Sequence, residues 1–143
     1  MTTIAIASDH AGYEMKAQIA SWLAGAGYEV LDLGCNGPES VDYPDFATAL
    51  AGAINDGRAA RGVLICGSGI GISIAANRHP GIRAALVHDV TTARLARQHN
   101  DANVVALGAR IIGAEIAKDC VDAFLTTDFE GGERHSRRIA KMG

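Results

Sequence analysis

Apolar residues follow two alternating rhythms along the chain. Short unbroken runs occur at Ile4-Ala5-Ile6-Ala7, Val30-Leu31-Asp32-Leu33, Val63-Leu64-Ile65, Ala84-Ala85-Leu86-Val87 and Val104-Val105-Ala106-Leu107. Runs of this kind are what strands buried on both faces require. Between them the apolar positions recur at helical spacing. Met15, Ile19, Trp22, Leu23 and Ala26 form one stripe, stopped by Gly25 and Gly27, and Phe46, Leu50, Ala53 and Ile54 form a second, ending near Gly57. Further helices are predicted through Ile74 to Asn77, over residues 91–99, and on the stripe Ile116, Cys120, Ala123 and Phe124. Residues 34–44 hold both glycine and proline and read as the longest irregular segment, and residues 130–142 form a polar tail.

Five strands alternating with helices predict an α/β fold: a three-layer α/β/α, Rossmann-like domain with a five-stranded parallel sheet. Residues 1–143 read as a single domain, without internal repeat or linker. Sheets of this type bind ligands beyond the carboxyl ends of their strands, where the strand order reverses. The groups that follow each strand are therefore the ones to weigh.

Composition narrows the class of ligand. A net charge of −3 with 20% charged residues gives no basic surplus for nucleic acid or a membrane surface. No apolar run approaches the ~20 residues of a membrane span. The start Met1-Thr2-Thr3-Ile4-Ala5 lacks a positive segment, so no signal peptide is expected. Three cysteines, Cys35, Cys66 and Cys120, stand at unrelated spacings, which speaks against a disulfide framework or zinc site and for a reducing cytoplasm.

Polar groups gather at the strand ends. Ser8-Asp9-His10-Ala11-Gly12 follows the first strand, Cys66-Gly67-Ser68-Gly69-Ile70-Gly71 the third, His88-Asp89 the fourth and Gly108-Ala109-Arg110 the fifth. If the first and third loops share a ligand, their strands are neighbours, as in an order beginning 2-1-3. The alternate glycines let the backbone approach a ligand and aim N–H groups at an anion. The loop is neither a P-loop, lacking Gly-Lys-Ser/Thr, nor a dinucleotide fingerprint, because Ile72 stands where the third glycine belongs. Asp89, about twenty residues on, keeps nucleotide binding open as a rival, and a loop that only turns the chain is the plainer alternative.

Cys66 ends the third strand at this loop, where a thiol beside N–H donors can serve as base or nucleophile. A small buried hydrophobe is the alternative there, and Cys120, on a helical stripe, belongs to the core. His99 and Asn100 close a helix, which an ordinary helix stop also explains. Arg134 and Arg138, four apart, would share one face of a helix and suit a phosphate dianion with His135 nearby, or else a solvated basic face. No His/Asp/Glu cluster at metal-ligand spacing is visible, so neither metal nor cofactor is expected.

Asp9-His10-Ala11-Gly12, Asp42-Tyr43-Pro44, the run from Cys66 to Asn77, Arg97-Gln98-His99-Asn100-Asp101-Ala102-Asn103 and Glu130-Gly131-Gly132-Glu133-Arg134-His135 together resemble the type B ribose-5-phosphate isomerases. The same family includes galactose-6-phosphate and allose-6-phosphate isomerases. The resemblance implies a metal-free aldose–ketose isomerase of a phosphorylated sugar, a dimer or tetramer with sites shared between subunits. It implies Cys66 as the base, His99 as the group that opens the sugar ring, and Ser68 beside them, where many members carry threonine. The amides of Gly67, Gly69, Ile70 and Gly71 would hold the enediolate, and Asp9, Tyr43 and Asn100 the sugar. His10, Arg134 and Arg138 would grip the phosphate, with Arg110 and His99 from the partner subunit. Ile72 stands where a cysteine-lacking branch carries glutamate, which places the chain in the cysteine-base branch. Ribose 5-phosphate is the expected substrate, with another sugar phosphate as the alternative.

Overall fold

The computed structural model describes all 143 residues. Strands β1 (Thr3–Ser8), β2 (Glu29–Asp32), β3 (Arg61–Cys66), β4 (Ala84–Leu86) and β5 (Val104–Gly108) alternate with helices α1 (Tyr13–Gly25), α2 (Tyr43–Asn55), α3 (Ile70–Ala76), α4 (Val90–Asn100) and α5 (Ala114–Thr126). A sixth helix, α6 (Glu133–Met142), ends the chain. All five strands pair in parallel in the order β2-β1-β3-β5-β4. The neighbouring of β1 and β3 inferred from their loops holds, with Ser8 opposite Ile65.

The sheet is apolar on both faces because each is covered. Ile4, Ile6, Val63, Ile65, Val105 and Leu107 join Ile19, Leu23, Cys120 and Phe124 from α1 and α5 in one cluster of 17 buried residues. Ala5, Ala7, Leu64, Cys66 and Ala106 join Ala47, Leu50 and Ile72 from α2 and α3 in another of 14. Two cores of similar size, one on each side, make the three-layer α/β/α arrangement.

The boundaries shift where local chemistry outweighs periodicity. α2 begins at Tyr43, with Pro44 inside its first turn rather than in the preceding loop; a missing N–H costs nothing there. The expected strand position of Val87 lies outside β4. Ile116, read as part of an apolar stripe, is 45% exposed, and Ile74 in α3 is 57% exposed. The polar tail is helical but buries no residue, so nothing apolar in the pattern announces it. Lys16, only 2% exposed, is held at 2.7 Å by Asp32, and Asp32 also accepts the Gly34 N–H. A buried lysine persists only when paired, and this pair anchors the start of the 34–42 segment. No helix is long and apolar enough to cross a membrane.

Candidate active site

Cys66, the last residue of β3, lies at the carboxyl edge of the sheet and is 4% exposed. Its Sγ accepts a hydrogen bond from the Gly69 N–H at 3.1 Å. Gly69 makes this possible with φ +78°, and a Cβ there would lie 2.9 Å from the Leu107 carbonyl carbon. Only glycine fits such a turn. The Ile70 N–H is taken by Ser68 Oγ at 3.2 Å. The N–H groups of Gly67, Ser68 and Gly71 have no acceptor within the chain. Three donors on the loop that follows the thiol therefore have bonding capacity to spare.

These groups sit in an open cleft of about 450 Å³ lined by Asp9, Tyr43, Cys66, Gly67, Ser68 and Arg110, with Ile70, Gly71 and Ile111 completing its wall. Asp9 is 6% exposed, held by its own N–H to Ile65 O and by the Gly12 N–H donating to Oδ1. One carboxylate oxygen is thus fixed while the side chain faces the cleft. Tyr43 stands at the start of α2, its ring against Gly71 so closely that a Cβ there would meet it at 2.5 Å. Arg110 is carried by the turn after β5, where the Arg110 N–H donates to Gly67 O, and its guanidinium lies over Gly67. The resemblance assigned Arg110 to a partner's site; here it lines the cleft of its own chain.

A model of the ribose/galactose isomerases matches residues 4–142. The chain belongs to this family. Among its relatives it is 47% identical over 139 residues to ribose-5-phosphate isomerase B of Escherichia coli, covering 97% of this chain and 93% of that one. It is also 47% identical to D-erythrulose-4-phosphate isomerase of Pectobacterium atrosepticum, across 100% of this chain and 94% of that one. The solved ribose 5-phosphate isomerase of Thermotoga maritima superposes with a TM-score of 0.97 at 53% identity, covering 99% of this chain and 97% of the other.

For a ribose/galactose isomerase the remaining candidates lie in an unexpected place. His99 and Asn100 end α4, which runs back to the amino edge of the sheet. There the Asn100 and Asp101 carbonyls accept from Arg83, and Asn103 O accepts from Gly62 at the base of β3. Gly62 and Cys66 are four strand residues apart, about 13 Å at ~3.3 Å per residue. His99 and Cys66 of one chain therefore cannot touch the same C1–C2 unit. His10 is outside the cleft wall, its Nδ1 accepting the Val41 N–H at 3.2 Å; that bond leaves its ring proton on Nε2. Arg134 and Arg138 are exposed on α6 without an ion-pair partner, whereas the neighbouring Arg137 is tied to Glu133.

The sequence reading missed one cluster entirely. His99 and His135 stack with ring centroids 4.7 Å apart and planes 12° from parallel, and Glu130 faces His135 Nε2 at 3.7 Å. The potential ligand atoms of all three lie within 4.8 Å of one another. No spacing rule connects residue 99 to residues 130 and 135; only the packing of α6 on α4 does. The larger cavity, about 550 Å³ beside Asn100, Arg83 and Met142, is at this same amino edge, far from the thiol.

Proposed function

We propose that the chain is an aldose–ketose isomerase interconverting ribose 5-phosphate and ribulose 5-phosphate, with Cys66 as base. The observation that carries this reading is a buried thiol met by the Gly69 N–H, with the unpaired amides of Gly67, Ser68 and Gly71 beside it. Cys66 takes the proton from C2 of the open-chain aldose. The C2–H electrons form C1=C2, and the carbonyl oxygen becomes an enediolate oxyanion received by the free amides. Each such donor is worth about 3 kcal/mol when aimed at the developing charge. The thiol then returns its proton to C1, the O2–H proton passes to the O1 oxyanion, and C2=O2 forms. Ser68, whose Oγ already accepts from Ile70, keeps its O–H free to donate at that oxyanion. Asp9 and Tyr43 receive sugar hydroxyls, and Arg110 adds positive charge at the mouth.

Residues 1–143 act as one domain in this reading, but the site needs two copies. His99, Asn100, Arg134 and Arg138 reach a Cys66 cleft only from a second subunit, because their own chain holds them at the opposite edge. Ile70 and Ile74, one helical turn apart and 52% and 57% exposed beside the cleft, suit burial by that copy. A two-fold homodimer then holds two composite sites. The three cysteines are free, which fits a reducing cytoplasm.

The test is NMR of the purified protein with ribose 5-phosphate in D2O, with and without EDTA. Ribulose 5-phosphate formation with deuterium entering at C1 or C2, unaffected by EDTA, is the expected result. The tetrose relative gives a specific reason to run erythrulose 4-phosphate beside it. Faster turnover of the tetrose would reassign the substrate and keep the chemistry. No turnover of any sugar phosphate, together with tight nucleotide binding, would overturn the isomerase reading.

A further inference from the structure

We infer that His135 and Glu130 form a positioning device for His99, setting the ring plane of the imidazole that opens the sugar. The inference rests on the isomerase reading and on the role of His99 in it. His99 ends α4 with two rotatable side-chain bonds, and nothing in its own helix fixes its ring. Its flat contact is the His135 imidazole, 4.7 Å away and 12° from parallel. His135 is held in turn: its side chain is 12% exposed, and Glu130 faces Nε2 at 3.7 Å. Glu130 is fixed to the same corner because its N–H donates to Gln98 O. The backbone of Glu130 thus ties to the residue before His99 while its side chain faces His135.

The three residues also carry donors a divalent ion could use, but the stack is the wrong shape for one. An imidazole binds metal along a lone pair in its own plane. Two nearly parallel rings set face to face cannot both direct such a lone pair at one ion. The arrangement fits orientation of His99 instead.

Ring opening breaks the C1–O4 bond of the furanose. O4 gains a proton from the imidazole, O1 releases its proton to water, and C1=O1 forms, with no net proton change once the imidazole is recharged from water. Delivery to O4 needs the ring nitrogen in line with that oxygen, and a misplacement of an ångström can cost up to about a hundredfold. Proton exchange at C1 of ribulose 5-phosphate requires no ring opening, because a ketose bearing its phosphate on O5 cannot close a furanose.

The experiment measures two rates on His135→Ala, His135→Phe, Glu130→Gln and His99→Ala: net ribulose 5-phosphate formation, and deuterium exchange into C1 of ribulose 5-phosphate in D2O. His135→Ala is expected to slow net turnover about tenfold or more while exchange stays within about twofold. His135→Phe, which keeps a flat face, restores most of that loss, and Glu130→Gln gives a smaller loss of the same kind. Parallel loss of both rates in His135→Ala would mean general damage and overturn the inference. So would impaired His99→Ala beside unimpaired His135→Ala, which rejects the positioning role alone. Full net turnover in His99→Ala would instead reject the ring-opening role on which the stack depends.

Discussion

Cys66 and Cys120 are both buried thiols, and they differ in what faces the sulfur. A peptide N–H points at Cys66 Sγ, a donor for charge developing there, so Cys66→Ser should lower kcat about a thousandfold and leave KM within a few-fold. Steady-state kinetics checks this, and a variant with most of its kcat would end the base assignment. Cys120 is buried in the apolar cluster that joins α1, α4 and α5 to the sheet. Burial, then the charges of Asp89 and Asp119, push its thiol up from 9.0 to about 11. Between those pH values the unfolded chain has lost a proton that the folded chain retains. Stability therefore falls as pH rises through that window. Urea melts at pH 8 and pH 10.5 should show a steeper decline for the parent than for Cys120→Ala, and equal declines would remove Cys120 as the cause.

The glycine loop is where two helices negotiate the cleft. Gly71, in the first turn of α3, lets the Tyr43 ring from α2 lie against its backbone. Gly71→Ala should lower kcat/KM about tenfold by driving that ring into the sugar space, and adding Tyr43→Ser should cost little more. Strictly additive losses in the four-protein cycle would show that the contact is not the cause. Elements of this kind were legible in the sequence to different depths. The strands were plain, because a sheet buried on both faces leaves unbroken apolar runs such as Val63-Leu64-Ile65. Cys66, Asp9 and the glycine loop followed from those strand ends. The start of α2 at Tyr43 did not follow, and α6 showed only in the spacing of Arg134 and Arg138, its bounds and packing not at all. One hinges on proline being harmless in a first turn, and the other has no apolar stripe to read. Nor could periodicity bring Glu130 to His135 and His99, because that meeting depends on how α6 lies on α4.

At the scale of the molecule, the sheet separates the chemistry into two halves. Its carboxyl edge carries Cys66, Asp9 and the free amides, and its amino edge carries His99, Asn100 and the arginines of α6. Purified Cys66→Ser and His99→Ala proteins, each of low activity, should regain about a quarter of parental turnover when unfolded together and refolded. Half of the random pairs are mixed, and each mixed pair has one intact site. No recovery in mixtures shown to be dimeric would place both residues in one chain's site. The same division has a consequence for inheritance. With the composite site proposed above, in a cell with two copies of this gene one could lose its thiol and the other its imidazole without abolishing the reaction. Each product would then be useless alone and indispensable together, so a duplication could turn a homodimer into an obligate pair by loss alone.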